Sequence, residues 1–196
     1  MKSIQRYILL AIILASVSFA DSIGINLGTA YTDYSQEQKS GQIVLSNKPD
    51  KKFQSYELFY ISNKDILNIK DLKPYLSYTY SKNDELKHQY LLVGLNKYYA
   101  FKDIVLYGGL LAGYGELKWK YNPLNNSLDN DYSANSFIAG IQTGIDYPIY
   151  KNWIIGLNLK YLAHRYETEL KPNNTAVSSI KHKHSFIPAL SFRYLF

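Results

Sequence analysis

The sequence predicts an all-β fold: an eight-stranded, antiparallel, up-and-down barrel that crosses a membrane. Three observations predict it. The first is the C-terminal segment, where Phe186, Pro188, Leu190, Phe192, Tyr194 and Phe196 alternate with Ser185, Ile187, Ala189, Ser191, Arg193 and Leu195. One face is apolar throughout and the other is mixed, as a strand's two-residue period requires. A strand whose outer face meets hydrocarbon must carry such a row, whereas a water-soluble sheet seldom ends on one. The second is the repetition of this alternation along the chain, in segments near the 9–11 residues that a tilted strand needs to cross. The third is tyrosine, 20 of 196 residues, whose apolar ring and wet hydroxyl suit a membrane interface.

Residues 1–20 read as an export signal. Lys2 and Arg6 precede an apolar run from Tyr7 to about Ser16, and Ser18-Phe19-Ala20 places small residues where a signal peptidase cuts. Cleavage after Ala20 leaves 21–196 as one barrel domain. The first strand covers Ser22 to Asp33, with Ile23, Ile25, Leu27 and Tyr31 outward. The second covers Phe53 to Ile61, with Tyr56, Leu58 and Tyr60 outward. The third, Leu72 to Ser81, opposes Leu72, Leu76, Tyr78 and Tyr80 to Tyr75, Ser77 and Thr79, with Pro74 near its start, where proline is tolerated. The fourth, Gln89 to Tyr99, turns Leu91, Val93 and Leu95 out. The fifth, Ile104 to Lys118, alternates more weakly, with Leu106, Leu110 and Tyr114 against Tyr107 and Leu111. The sixth, Ser136 to Tyr147, sets Phe137, Ile141 and Ile145 against Gln142 and Asp146. The seventh, Trp153 to Tyr166, sets Leu157, Leu159 and Tyr161 against Asn158, Lys160 and His164. The C-terminal segment is the eighth.

Connections alternate in length. Residues 35–52, 119–135 and 167–184 read as long loops, 82–88 as a shorter one, and 100–103 and 148–152 as tight turns; 62–71 is longer than its neighbours on that side. Short turns at one end and long loops at the other are the asymmetry of an outer-membrane barrel, and an even strand count puts both chain ends in the periplasm.

Composition excludes several function classes. Without cysteine there is no disulfide framework, thiol catalysis or lipidated N-terminal Cys. Net charge is +6, of which Lys2 and Arg6 carry two, so residues 21–196 carry +4 in dispersed form; nucleic acid is not an expected partner. A mean hydropathy of −0.25 is what alternating lipid-facing and interior residues average to.

Four charges face inward on this register: Glu57, Asp146, Lys160 and Arg193. They read as a structural interior network, because eight strands leave room only for side chains; a narrow conduit is the alternative. Inward glycines, among them Gly109, Gly140, Gly144 and Gly156, would make room for Tyr75, Tyr90 and Tyr107. His182 and His184 at i, i+2 would share a face at a spacing that suits a metal, with His164 on the preceding strand; they are read instead as solvated loop-edge histidines, with no metal and no cofactor expected. His184-Ser185 invites a hydrolase reading, but adjacent strand residues point to opposite faces and no Gly-x-Ser-x-Gly is present. No catalytic residue is assigned.

Tyr107-Gly108-Gly109-Leu110-Leu111-Ala112-Gly113-Tyr114, the segment Phe137 to Tyr147, the segment Trp153 to Tyr161 and Phe192-Arg193-Tyr194-Leu195-Phe196 together resemble successive strands of the small OmpA/OmpX-like and opacity-like outer-membrane barrels. The resemblance covers the C-terminal half well and the N-terminal half in pattern alone. It implies that Phe192, Tyr194 and Phe196 form the signal read by the barrel assembly machinery during insertion. It carries no catalytic residue, and no peptidoglycan-binding domain is expected after the barrel.

The expected function is that of a monomeric integral outer-membrane protein with a structural or surface-interactive, adhesion-like role. Its loop lysines (Lys48, Lys51, Lys52, Lys120, Lys171, Lys181 and Lys183) would meet lipopolysaccharide, and a host or surface ligand would bind at the loops. The alternatives are a narrow porin-like channel, a lipid-modifying enzyme and a soluble lipocalin-like binder.

Overall fold

A computed structural model describes residues 22–40, 43–47, 52–84, 86–119, 132–173 and 176–196. The export signal and Ala20 lie outside the described residues, as do Lys48, Lys51 and Lys120. The strands are β1 (Ser22–Ser40), β2 (Ile43–Asn47), β3 (Lys52–Ile61), β4 (Leu72–Lys82), β5 (Leu86–Phe101), β6 (Ile104–Trp119), β7 (Tyr132–Tyr150), β8 (Trp153–Asn173) and β9 (Ala176–Leu195). Eight of them form the barrel. From β3 to β9 each pairs antiparallel with the next, β1 pairs with β3, and β1 and β9 close the cylinder from Ser22↔Leu195 upward. β2 pairs with β1 alone, Gln36↔Asn47 to Ser40↔Ile43, and extends the wall at the long-loop end.

The facing follows the predicted alternation. On β3, Phe53, Ser55, Glu57, Phe59 and Ile61 are buried and Gln54, Tyr56 and Leu58 are exposed. On β6, the weakest pattern, Tyr107 and Leu111 lie inside while Leu106, Leu110 and Tyr114 lie outside. The outer surface carries two aromatic rings. One holds Tyr31, Tyr56, Tyr114, Phe137, Tyr161 and Phe186; the other, at the short-turn end, holds Tyr99, Phe101, Tyr147, Tyr150, Trp153 and Phe196. Between them the exposed residues include Ile25, Leu27, Leu91, Val93, Leu110, Ile141, Leu157 and Leu190. Trp153 and Tyr161 are eight residues apart on β8. At about 3.3 Å per residue and a tilt near 40° that is roughly 20 Å of height, close to the apolar band of a membrane barrel.

The long-loop end differs from the sequence expectation. Segments 35–40, 43–47, 132–135, 167–173 and 176–184, read as loop, are strand. β8 and β9 stay paired to Asn173↔Ala176, well past Tyr161. Above the aromatic ring water bathes both faces, so a hairpin there needs ladder hydrogen bonds but no apolar stripe, and hydropathy alternation does not mark it. At the other end the turns are tight. Phe101 pairs with Ile104 around Lys102, whose φ of 54° is the left-handed conformation a two-residue hairpin turn demands. The longer 62–71 connection is tied down by Tyr98 N donating to Asp71 O at 3.0 Å and by Lys73 Nζ donating to Asn63 Oδ1 at 2.6 Å.

Interior packing uses glycine as clearance. A Cβ at Gly144 would collide with the Tyr107 ring and with Leu157 O, and one at Gly115 would strike the Tyr166 hydroxyl and the Tyr90 Cβ. Tyr75 faces Gly94 across the β4–β5 ladder and stacks on Phe59, ring centroids 5.8 Å apart. Gly144→Leu is therefore expected to cost about 1–3 kcal/mol through overpacking. Ile145→Leu, one residue along on the outer face, is expected to change little. Urea unfolding of the two variants checks both.

Candidate functional site

The barrel interior is a stack of polar layers. Nearest the short turns, Arg193 Nη2 donates to Asp146 Oδ2 at 2.6 Å, and its guanidinium lies 5.8 Å from the Tyr98 ring centroid. Tyr98 and Tyr107 pack at 5.4 Å, and Asn158 Nδ2 donates to the Tyr107 hydroxyl at 2.8 Å. Gln142 Nε2 donates to Asn96 Oδ1 at 2.7 Å. The next layer is centred on Glu57. Its carboxylate takes both oxygens to Lys160 Nζ, and accepts from Tyr75 OH at 2.7 Å and from Asn26 Nδ2 at 2.6 Å. Lys160 also donates to Tyr75 OH at 2.9 Å. The four inward charges thus stand as two pairs, Glu57 with Lys160 and Asp146 with Arg193. Each joins strands distant in the chain.

The uppermost layer is built from histidines, and here the structure corrects the sequence reading. The β1–β9 register shifts between Thr32 and Tyr34, so Lys183 and His184 together oppose Asp33 and β9 carries one extra residue; the β8–β9 register also shifts, between Ala163 and Tyr166. His182 therefore points inward and is buried, while His184 points outward and stacks on Tyr161 at 5.7 Å. The two cannot share a ligand. Nor are the inner histidines solvated: His88, His164 and His182 are all buried. His88 Nε2 lies 2.8 Å from Tyr166 OH, and the His88 and His164 rings meet edge to face at 5.3 Å. Among the described residues no group of three or more His, Cys, Asp and Glu is arranged to hold a metal.

Ser185 has a partner that sequence adjacency hides. His184 faces outward, but His164 Nε2 lies 2.8 Å from Ser185 Oγ, and Thr32 Oγ1 lies 2.9 Å from it on the other side. The signal was present in the pattern: both residues face inward on consecutive strands, but their approach depends on the register Leu162↔Ser185. A serine against an imidazole is the start of a nucleophile–base pair. This one has no carboxylate orienting the ring, whose Nδ1 instead lies 3.4 Å from the His182 carbonyl, and Ser185 is 1% exposed. What it does chemically is satisfy buried polar groups.

Of the proposed assembly residues, Phe192 and Phe196 face outward, and Tyr194 packs between Trp153 (5.0 Å) and Phe196 (5.2 Å). Of the loop cations, Lys52 is exposed at the start of β3, and Lys181 and Lys183 lie on the outer face of β9. Lys171 lies on β8, its side chain outside the described residues. Above the outer aromatic ring, Glu167 is bound by Lys181 Nζ at 3.0 Å and Arg165 Nη2 at 2.9 Å. Hydrogen bonds from Lys181 first and Arg165 second hold this exposed carboxyl below the usual carboxylate range, so it stays ionised as pH falls toward that range.

Known structures share this architecture. Neisserial surface protein A (NspA) superposes with a TM-score of 0.57 at 15% identity, over 89% of this chain and 97% of that one. The fold is that of the small outer-membrane barrels. The outer membrane protein OprG from Pseudomonas aeruginosa gives 0.54 at 11% identity, over 90% of this chain and 97% of that one. By sequence the chain matches no protein family and no curated protein, so the likeness to these outer-membrane barrels is one of fold.

Proposed function

We propose that this chain is an integral outer-membrane protein of a Gram-negative cell, with its short turns toward the periplasm, and that it acts through its extended outer hairpins in surface interaction. One observation carries this reading: the lumen is filled while the outer end is enlarged. The two buried ion pairs, the Tyr98–Tyr107 pair and the His88–Tyr166 contact occupy successive levels of the interior, and eight strands leave no spare bore. β1, β8 and β9, by contrast, run well beyond Tyr31 and Tyr161. In this reading Glu57, Asp146, Lys160 and Arg193 are structural, Phe192, Tyr194 and Phe196 are the assembly signal, and the barrel is a monomer in contact with lipopolysaccharide.

Two measurements test it. In planar bilayers the reconstituted barrel is expected to give no steady open events; sustained conductance would establish the channel alternative instead. On intact cells, protease cuts are expected only within 35–52, on either side of β2, and after β4, β6 and β8. Cuts at 62–71 would invert the topology.

A further inference from the structure

Among the described residues, the wall of the barrel splits between β7 and β8. β6 and β7 stay paired up to Trp119↔Tyr132, and β8 and β9 up to Asn173↔Ala176, but the β7–β8 ladder ends at Ile138↔His164. Ser136 closes that end: its hydroxyl accepts from Arg165 N at 2.8 Å and donates to Phe137 O at 2.9 Å. Beyond it lies an outward groove of about 880 Å³, floored by Phe137, Ala139 and Ala163 and rimmed by Arg165, Lys181 and Lys183. The volume falls within the range of small-molecule sites.

Two features give the groove its character. Phe137 is 83% exposed, the most exposed aromatic of the outer ring, and touches only the edge of Tyr114 among the ring contacts described (5.4 Å, 74°). The extra residue that β9 carries opposite Asp33 turns Lys183 and His184 outward together, so that cations sit directly above apolar surface. Among the described residues, the acids facing this rim are Glu167, already bound by Lys181 and Arg165, and Asp33, outward on β1 opposite the extra residue of β9. Among the described side chains, three cations and an imidazole against two carboxylates make the rim net positive. The groove straddles the aromatic ring that marks the headgroup level.

From this placement we propose that the β7–β8 notch is a seat for a phosphate-bearing acylated lipid of the outer leaflet. An acyl chain lies on Phe137, Ala139 and Ala163, and the phosphate meets Arg165, Lys181 and Lys183. A cationic rim over an apolar floor matches the two ends of such a lipid, and neither end alone uses both parts. The proposal rests on the outer-membrane reading above.

The test reconstitutes the full barrel in phosphatidylcholine nanodiscs, adds bisphosphorylated lipid A as probe, and counts bound lipid by native mass spectrometry after release into mild detergent. The wild type is expected to retain one lipid A. Arg165→Gln/Lys183→Gln is expected to lower its occupancy tenfold or more, since each cation near a lipid phosphate contributes strongly, and Phe137→Ala to lower it severalfold. Lys97→Gln/Lys102→Gln, at the short-turn end, is expected to leave it unchanged. Dephosphorylated lipid A should bind no better to the wild type than to the double variant. Equal retention by wild type and double variant overturns the proposal. So does loss of the adduct on adding inorganic phosphate, which would mean a soluble anion site, or a lipid-free dimer in the same spectra, which would mean a second copy fills the notch. Failure of the barrel to enter nanodiscs at all would instead sink the outer-membrane reading.

Discussion

Lys160→Met is expected to lower the unfolding free energy of the barrel by about 3–5 kcal/mol, because it strands a buried carboxylate. Lys160 is 2% exposed and Glu57 is buried beside it. With the ammonium gone, Glu57 keeps neutral donors, Tyr75 OH and Asn26 Nδ2 among them, too little to replace the water that burial removed. The double variant Glu57→Gln/Lys160→Met is expected to recover most of the loss, since a neutral amide and a thioether of similar volume leave no charge unpaired. Urea titration in phospholipid vesicles, followed by tryptophan fluorescence, measures both. If the single and double variants fall equally, packing volume and not charge governs the site. If the single variant is neutral, water reaches the pair and the lumen is open at that level.

The same pair marks how far the sequence could be read. Which residues face inward was legible, Glu57, Asp146, Lys160 and Arg193 included, because an apolar solvent outside a closed sheet enforces a two-residue period on every strand. Which inward residues meet was not. Glu57 on β3 and Lys160 on β8 approach across the lumen, at a height set by the stagger of the closed barrel, which no local pattern encodes. Ser185 and His164 needed only the β8–β9 register, yet that register is broken by a bulge without glycine or proline to announce it. The extra residue of β9 opposite Asp33 also undid the shared face expected of His182 and His184. The split at Ile138↔His164 was invisible for another reason: it lies in the zone above the aromatic ring, where water satisfies either a paired or an unpaired backbone and hydropathy carries no signal.

A charge placed on the outer face should report what surrounds it. Leu110 is 71% exposed, lies on β6 between Leu106 and Tyr114, and pairs with Leu95 and Ile141. Leu110→Arg is expected to cost about 2–4 kcal/mol, the price of an arginine at the bilayer midplane. Ser133→Arg, outward on β7 above the aromatic ring, is expected to cost about 0–1 kcal/mol, since its side chain reaches the interface. Leu27→Arg, at the same depth as Leu110 but on β1, should match Leu110→Arg. That equality distinguishes a bilayer from a protein partner, because a partner covers one side of a cylinder and oil covers all of it. Folding equilibria in vesicles supply the three values. Were Leu110→Arg to cost no more than Ser133→Arg, the apolar band would face water, and the alternation that defines every strand would need a different cause. Were Leu110 and Leu27 to differ by several kcal/mol, the cause would be a second protein against one wall.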